Sequence, residues 1–204
     1  RFSQYIQSAI IEATINKDIL MDTPISKPAL LRQTFELGAA YSGELLSLNK
    51  MLGSLQDAGN TVTLAGYINL LDESGLLCGL QKFSVDMARR RASIPKLQVY
   101  NNALKMVYSP LTFEQAILNR KAWGRIFESG IGAYLVSQAF VHRFEVFYWR
   151  ERDDEVDFVL CKKNSVVAIE VKSNAEKRTD GLDRFRKLFN PQAAFIVGDG
   201  GISA

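Results

Sequence analysis

Apolar positions at the start of the chain recur every three or four residues. Phe2, Tyr5, Ile6, Ala9, Ile10 and Ala13 share one helical stripe, which predicts an amphipathic helix over 1–21 that continues toward Ile19. Nothing within that segment covers the stripe, so 1–25 reads as the tail of something upstream, ended by Asp22-Thr23-Pro24. Three helical segments follow. Lys27 to Tyr41 begins after Ser26 with Pro28 in its first turn, and Leu48 to Ala58 is capped by Ser47 and ended by Gly59-Asn60. Leu64 to Ser74 enters through Thr63, buries Leu64, Tyr67, Ile68 and Leu71, and stops at Gly75. Two strand-like runs, Leu76 to Lys82 and Lys96 to Tyr100, flank a polar stretch containing Arg89, Arg90 and Arg91. Three small helices and a ribbon over 26–100 form the winged-helix pattern.

The pattern changes beyond Asn101. Lys121 to Ala139 reads as a long helix with Trp123, Ile126, Phe127, Ile131, Tyr134 and Leu135 facing inward. Period-two runs at Val146 to Arg150, Glu155 to Leu160 and Val166 to Ser173 predict three strands, the last two joined by a polar turn at Lys162-Lys163-Asn164. A helix over Gly181 to Phe189 and a strand over Ala193 to Val197 complete 101–204. The crossover should set the last strand parallel to its predecessor, giving an α/β unit with a small mixed sheet.

Composition bounds this reading without altering it. The chain has 204 residues, 47% apolar and 23% charged, room for one large or two small domains. No apolar run approaches the roughly 18 residues of a spanning helix, and Arg1 to Tyr5 do not form a signal peptide, so a soluble cytoplasmic chain without membrane contact is expected. Cys78 and Cys161 lie in apolar stretches, and His142 is the single histidine. A structural zinc site needs about four such ligands in clusters, so free core thiols are the expectation. A net charge of +3 does not by itself announce a nucleic-acid binder. The third helix carries Asp72 and Glu73 and no Lys or Arg between 61 and 75, which opposes its entry into a phosphate-lined groove. The Arg89, Arg90, Arg91 triplet remains as candidate phosphate contacts at a wing tip, although a basic turn is more often merely solvated.

Strand alternation puts Val166, Ala168, Glu170 and Lys172 on one face, and places Asp157 on a face with Val159 and Cys161. A hairpin in register unites Asp157, Glu170 and Lys172, two carboxylates and an ammonium able to hold a divalent cation and act on a phosphate. A cross-strand pair on a solvated face would be an ordinary ion pair. These charges instead have apolar neighbours, where a charge usually has a partner or a role. The carboxylates should repel, raising at least one pKa. Glu128 lies four residues from both Gly124 and Gly132, on a helix face that small residues allow to approach the sheet.

The order helical Glu128, strand Asp157, then Glu170-Val171-Lys172 resembles the restriction-endonuclease-like PD-(D/E)XK fold, whose core is α-β-β-β-α-β. The strings GRIFESGIGAYL (124–135), YWRERDDEVDFVL (148–160) and VVAIEVKS (166–173) resemble, more narrowly, the C-terminal domain of unknown function of predicted AAA-superfamily bacterial and archaeal ATPases. In that family a winged helix lies between the ATPase core and the nuclease-like domain, which implies a missing upstream ATPase domain as partner. ATP would bind there, because no GxxxxGK[ST] loop exists in this chain. One departure is KLQVYNNAL, with Asn101 where the family usually shows an aspartate.

The resemblance implies that Asp157 and Glu170 bind Mg²⁺ or Mn²⁺ with help from the Val171 carbonyl. Lys172 would orient or help deprotonate the attacking water and stabilise charge growing on the phosphate, and Glu128 would hold a second metal or a metal-bound water. DNA is the expected phosphodiester substrate and partner, with Lys162, Lys163, Lys177, Arg178, Arg184, Arg186 and Lys187 as backbone contacts. The competing expectation is a non-catalytic module that binds nucleic acid or a protein partner and regulates the ATPase.

Overall fold

The computed structural model describes residues 1–56, 59–173 and 180–203, with the side chains of Met87 and Arg91 outside the description. The chain is a mixed α/β protein that divides into two compact units, Arg1–Gly79 with Ile94–Thr112 and Leu80–Ser93 with Phe113–Ala204.

The first unit opens with a short helix α1 (Phe2–Tyr5) that continues as π-helical turns at Ile6–Ile11 and Thr14–Ile19. Hydrogen bonds such as Leu20 N–H to Ile15 O, 3.0 Å, span five residues instead of four. The wider turn changes which residues face inward. Ile6, Ile11, Ile15 and Ile19 are buried, whereas Ile10 is 37% exposed and Phe2 and Tyr5 more so. The helix also has its partner within this chain, since these isoleucines share one core with Leu31, Phe35, Met51, Leu64 and Leu104.

Helix α2 (Pro28–Ala40) starts on Pro28, whose fixed φ suits the first helical position. In α3 (Leu48–Ser54) the Ser47 hydroxyl accepts the Lys50 N–H at 3.2 Å. The expected extension of α3 to Ala58 falls partly on Asp57 and Ala58, outside the described residues. Helix α4 (Thr61–Glu73) begins earlier than expected because Asn60, not Thr63, is the cap, accepting the Thr63 N–H at 2.9 Å. It buries Leu64, Tyr67, Ile68 and Leu71 and ends at Gly75, φ +68°. Strands β1 (Leu77–Leu80) and β2 (Lys96–Val99) form a two-stranded sheet. Asn101 caps the following helix α6 (Asn102–Val107), its Oδ1 accepting the Ala103 N–H at 2.9 Å, a task an aspartate would do equally well.

The connection between β1 and β2 belongs to the second unit. The basic triplet lies there on a short helix α5 (Met87–Arg91), not at a bare turn. The Arg90 guanidinium sits 4.9 Å from the centroid of the Phe147 ring, and its Nε donates to Ser84 O, so cation–π packing occupies it. Arg89 is exposed and pairs with Asp86 at 3.6 Å.

Helix α7 (Phe113–Leu118) leads to the long helix α8 (Arg120–His142), capped by Asn119. The buried stripe of α8 is Ser129, Gly132, Ala133, Leu135 and Val136, mostly small residues. Tyr134, expected inside, is 64% exposed. Strands β3 (Glu145–Glu151), β4 (Asp154–Lys162), β5 (Ser165–Lys172) and β6 (Ala193–Gly198) form one sheet in that order. The first two pairings are antiparallel and β5 with β6 is parallel, reached through α9 (Asp180–Phe189). Leu182 and Phe185 of α9 pack on Trp149, Val156, Val159 and Ala168, with Phe83 completing the cluster. Phe158, Ile169 and Val171 alternate to the opposite face, and α8 packs against β3 and β5. No helix of the described residues is long and apolar enough to cross a membrane.

The π-helical segment is therefore part of a core and not an appendage. Ile15→Ala should cost about 2–5 kcal/mol in urea unfolding, the usual range for truncating a buried isoleucine. An unchanged unfolding midpoint would mean that this helix contributes nothing to the unit.

Candidate functional site

The four side chains singled out by the strand and helix patterns line one cleft of about 400 Å³: Glu128 from α8, Asp157 from β4, and Glu170 and Lys172 from β5. Asp157, Glu170 and Lys172 are 8%, 7% and 5% exposed, which makes this a buried ionic cluster and not a solvated face.

Strand geometry accounts for the convergence. The antiparallel ladder between β4 and β5 runs from Lys162–Ser165 to Phe158–Ile169. Just beyond it the β3–β4 register shifts between Phe147–Val159 and Trp149–Val156, so a bulge at Asp157 and Phe158 breaks the simple alternation of β4 that the sequence suggested for Asp157 and Val159. There the backbone pairing ends, and the Asp157 carboxylate accepts the Val171 N–H at 2.7 Å. Two residues along one strand share a face, so the Lys172 ammonium reaches Glu170 Oε1 at 2.6 Å. The other oxygen, Glu170 Oε2, is buried and has no hydrogen-bond partner among the described residues.

Burial is the largest cause of a Glu170 pKa above the ordinary carboxyl range. The hydrogen bond and charge of Lys172 lower it in part, and the charges of Glu155 and Glu128 raise it further. The expected repulsion between Asp157 and Glu170 is thus not the cause of the shift. Asp157 instead takes a backbone N–H and holds β5.

The pattern reading missed the rim. Asp153, Asp154 and Glu155, from the β3–β4 turn and the start of β4, line the cleft with Asp180 at the start of α9. The acidic run DDEVD was the available signal, because 155 and 157 share a face. Among the described residues, seven carboxylates and one ammonium line the cleft.

The cationic residues are elsewhere. Lys162 and Lys163 are exposed at the far end of the hairpin, five strand residues or about 17 Å from Asp157. Arg184 is bound to Asp154 at 2.6 Å, and Arg186 to Asp183 at 3.0 Å. Lys177 and Arg178 lie outside the described residues, as does the Arg91 side chain. In the first unit, Asp72 of α4 accepts the Tyr100 hydroxyl at 2.6 Å.

Hard oxygen donors suit Mg²⁺ or Mn²⁺, and a buried carboxylate oxygen without a partner is a place such an ion would complete. Among the described residues no three His, Cys, Asp or Glu side chains form a ready cage. Mg²⁺ keeps several waters and is commonly held by one or two carboxylates, so the pair Asp157 and Glu170 fits it.

Residues 1–115 match the family described as Domain of unknown function (DUF8612), and residues 123–202 match Domain of unknown function (DUF4143). The first match spans more than half the chain, which therefore belongs to the DUF8612 family. No curated protein and no solved structure matches the chain.

The raised Glu170 pKa sets a pH dependence. Between the ordinary carboxyl value, about 4.3, and the raised one, the folded state binds more protons than the unfolded state. The contribution of Glu170 to stability is thus complete below pH 4 or so and is lost as pH rises through its folded pKa. The stability of wild type relative to Glu170→Gln should decline as pH rises above about 4 in urea titrations. A constant difference as pH rises would show that Glu170 titrates normally.

Proposed function

We propose that this member of the DUF8612 family carries a divalent-cation-dependent phosphodiester hydrolase centre in its second unit. The observation that carries the reading is the buried trio Asp157, Glu170 and Lys172, with Glu170 Oε2 unpartnered at the base of an open cleft. The order α8, β3, β4, β5, α9, β6 supports a restriction-endonuclease-like core, and the helices and ribbon of the first unit support a winged helix. DUF4143 is common in the C-terminal regions of AAA ATPases, which supports placing this chain beside an ATPase domain.

In this reading Asp157 and Glu170 hold Mg²⁺ or Mn²⁺. The bound ion supplies Lewis-acid polarisation of the phosphate and a water of lowered pKa. Asp157 keeps its Oδ2 on the Val171 N–H, which fixes its carboxylate beside β5. Glu170 must give up any proton that burial leaves on it, so cation affinity rises with pH through its raised pKa. Lys172, relieved of part of its bond to Glu170 Oε1, directs its ammonium to the non-bridging phosphate oxygens, where charge grows as the bond to the leaving oxygen breaks. Glu128 accepts a proton from water at the cleft wall.

A specific observation favours a second reading. Among the described residues of the cleft Lys172 is the one cation, and a rim of Asp153, Asp154, Glu155 and Asp180 repels a polyanion. The same centre then serves as a cation-stabilised binding module for the ATPase, with DNA or a protein as its partner.

Metal titration separates the two. Ions that bind only the folded state stabilise it by about 2.7 kcal/mol at a hundredfold excess over Kd. Wild type should show a concentration-dependent rise in Tm with millimolar Mg²⁺ or Mn²⁺ and cleave linear, circular or single-stranded DNA. Asp157→Asn keeps an acceptor for the Val171 N–H but removes the charge, so it should abolish both effects. Lys172→Met should abolish cleavage while retaining the metal-dependent rise. A metal-dependent rise without cleavage of any DNA form would leave the binding module as the function. Absence of the rise in folded wild type would end the hydrolase reading.

A further inference from the structure

The ladder between β4 and β5 stops at Phe158–Ile169, so residues 154–156 are paired on one side only, with Glu151, Arg150 and Trp149 of β3, and a second support lies beneath the cleft. The start of α9 provides it. A Cβ built on Gly181 would lie 2.1 Å from Glu155 O and 2.8 Å from Glu155 N, distances no side chain tolerates. Only glycine lets the helix rest on that peptide, two residues before Asp157. One turn on, Arg184 Nη1 grips Asp154 at 2.6 Å, and its Nη2 reaches Glu151 at 3.6 Å. Between them Leu182, 1% exposed, packs in the same cluster as Val156. Three successive residues of β4, 154 to 156, are thus held by the first turn and a half of α9.

We propose that Gly181 is a positioning residue for Asp157, with Arg184 as its second clamp. The close approach of α9 sets the angle at which β4 leaves β5, and that angle presents the Asp157 carboxylate to the Val171 N–H and keeps its charge beside Glu170. A methyl group at 181 must move either the helix or the Glu155 peptide. Either movement is transmitted to Asp157 within two residues. The proposal rests on the hydrolase reading for its consequence, but its geometry is independent of any ion.

The test uses the full chain and two readouts. The Val171 amide resonance reports the bond to the Asp157 carboxylate without metal, and Mn²⁺ titration calorimetry reports the assembled pair. Gly181→Ala should shift the Val171 amide by more than the amides of β6 and weaken Mn²⁺ binding at least tenfold in protein that remains folded by circular dichroism. Arg184→Leu, at a more exposed position, remains available if Gly181→Ala does not fold, and should move the same resonance in the same sense by less. Phe189→Leu, in the same core but away from Glu155, serves as control and should lower Tm with the Val171 amide and Mn²⁺ affinity unchanged. If the Val171 amide stays in place in every folded variant of Gly181 and Arg184, the proposal is overturned. If wild type binds no Mn²⁺ while the amide moves as expected, the positioning role stands and the hydrolase reading falls.

Discussion

The hydrogen bond from the Val171 N–H to the Asp157 carboxylate is the contact on which the second unit's site depends. At 2.7 Å it replaces a backbone rung at the place where β4 separates from β5. A buried amide left without an acceptor would cost about 1–3 kcal/mol, so the carboxylate is anchored by the sheet as firmly as the sheet is completed by the carboxylate. The opening between the strands becomes the cleft. A fully paired ladder would close it, and an unsupported one would fray. The support comes from the β3 ladder on one side and from α9, through a glycine that rests on the Glu155 peptide and an arginine that holds Asp154.

Electrostatics follow from this geometry. Three charged side chains, each less than a tenth exposed, sit within one site, and burying a charge without a partner is costly. Lys172 is the internal counterion, and it satisfies one oxygen of Glu170 and leaves the other alone. Burial therefore dominates the titration of Glu170 and the nearby acids add to it. The rim of Asp153, Asp154, Glu155 and Asp180 extends the negative field outward, which attracts cations and repels polyanions. That field is the strongest physical argument for a divalent ion at the centre, and the strongest against DNA entering without one.

The legible parts of the fold are those governed by short-range periodicity. Strands β3 to β6 and helix α9 are visible because period-two runs, hairpin turns and one amphipathic stripe repeat over six to ten residues. Glu170 and Lys172 are visible for the same reason, since a separation of two on a strand dictates a shared face. The N-terminal stripe misleads because an α-helical period was assumed. The buried isoleucines at 6, 11, 15 and 19 follow the wider π turn, which no local rule announced. The triplet Arg89 to Arg91 misleads differently. Local polarity marks it as a solvated turn, but Phe83 and Arg90 join the aromatic core of the second unit although their neighbours β1 and β2 belong to the first. Membership of a core is a long-range property, and a charged residue stacked on a ring cannot be told from a free one by its neighbours in sequence.

The 2.6 Å contact between Lys172 and Glu170 also decides how the site could change state. An ammonium in place beside the carboxylate lets the unit fold without an ion, because the buried negative charge is already compensated. In the proposed hydrolase, a divalent cation held by Asp157 and Glu170 would share that compensation, so the hold of Glu170 on the ammonium would weaken. The lysine is only two residues away on the same strand, so its ammonium stays near Glu170. Cation binding and the delivery of a positive charge to an incoming phosphate would thus be a single rearrangement about one buried carboxylate, and the free Glu170 Oε2 is the place where it would begin.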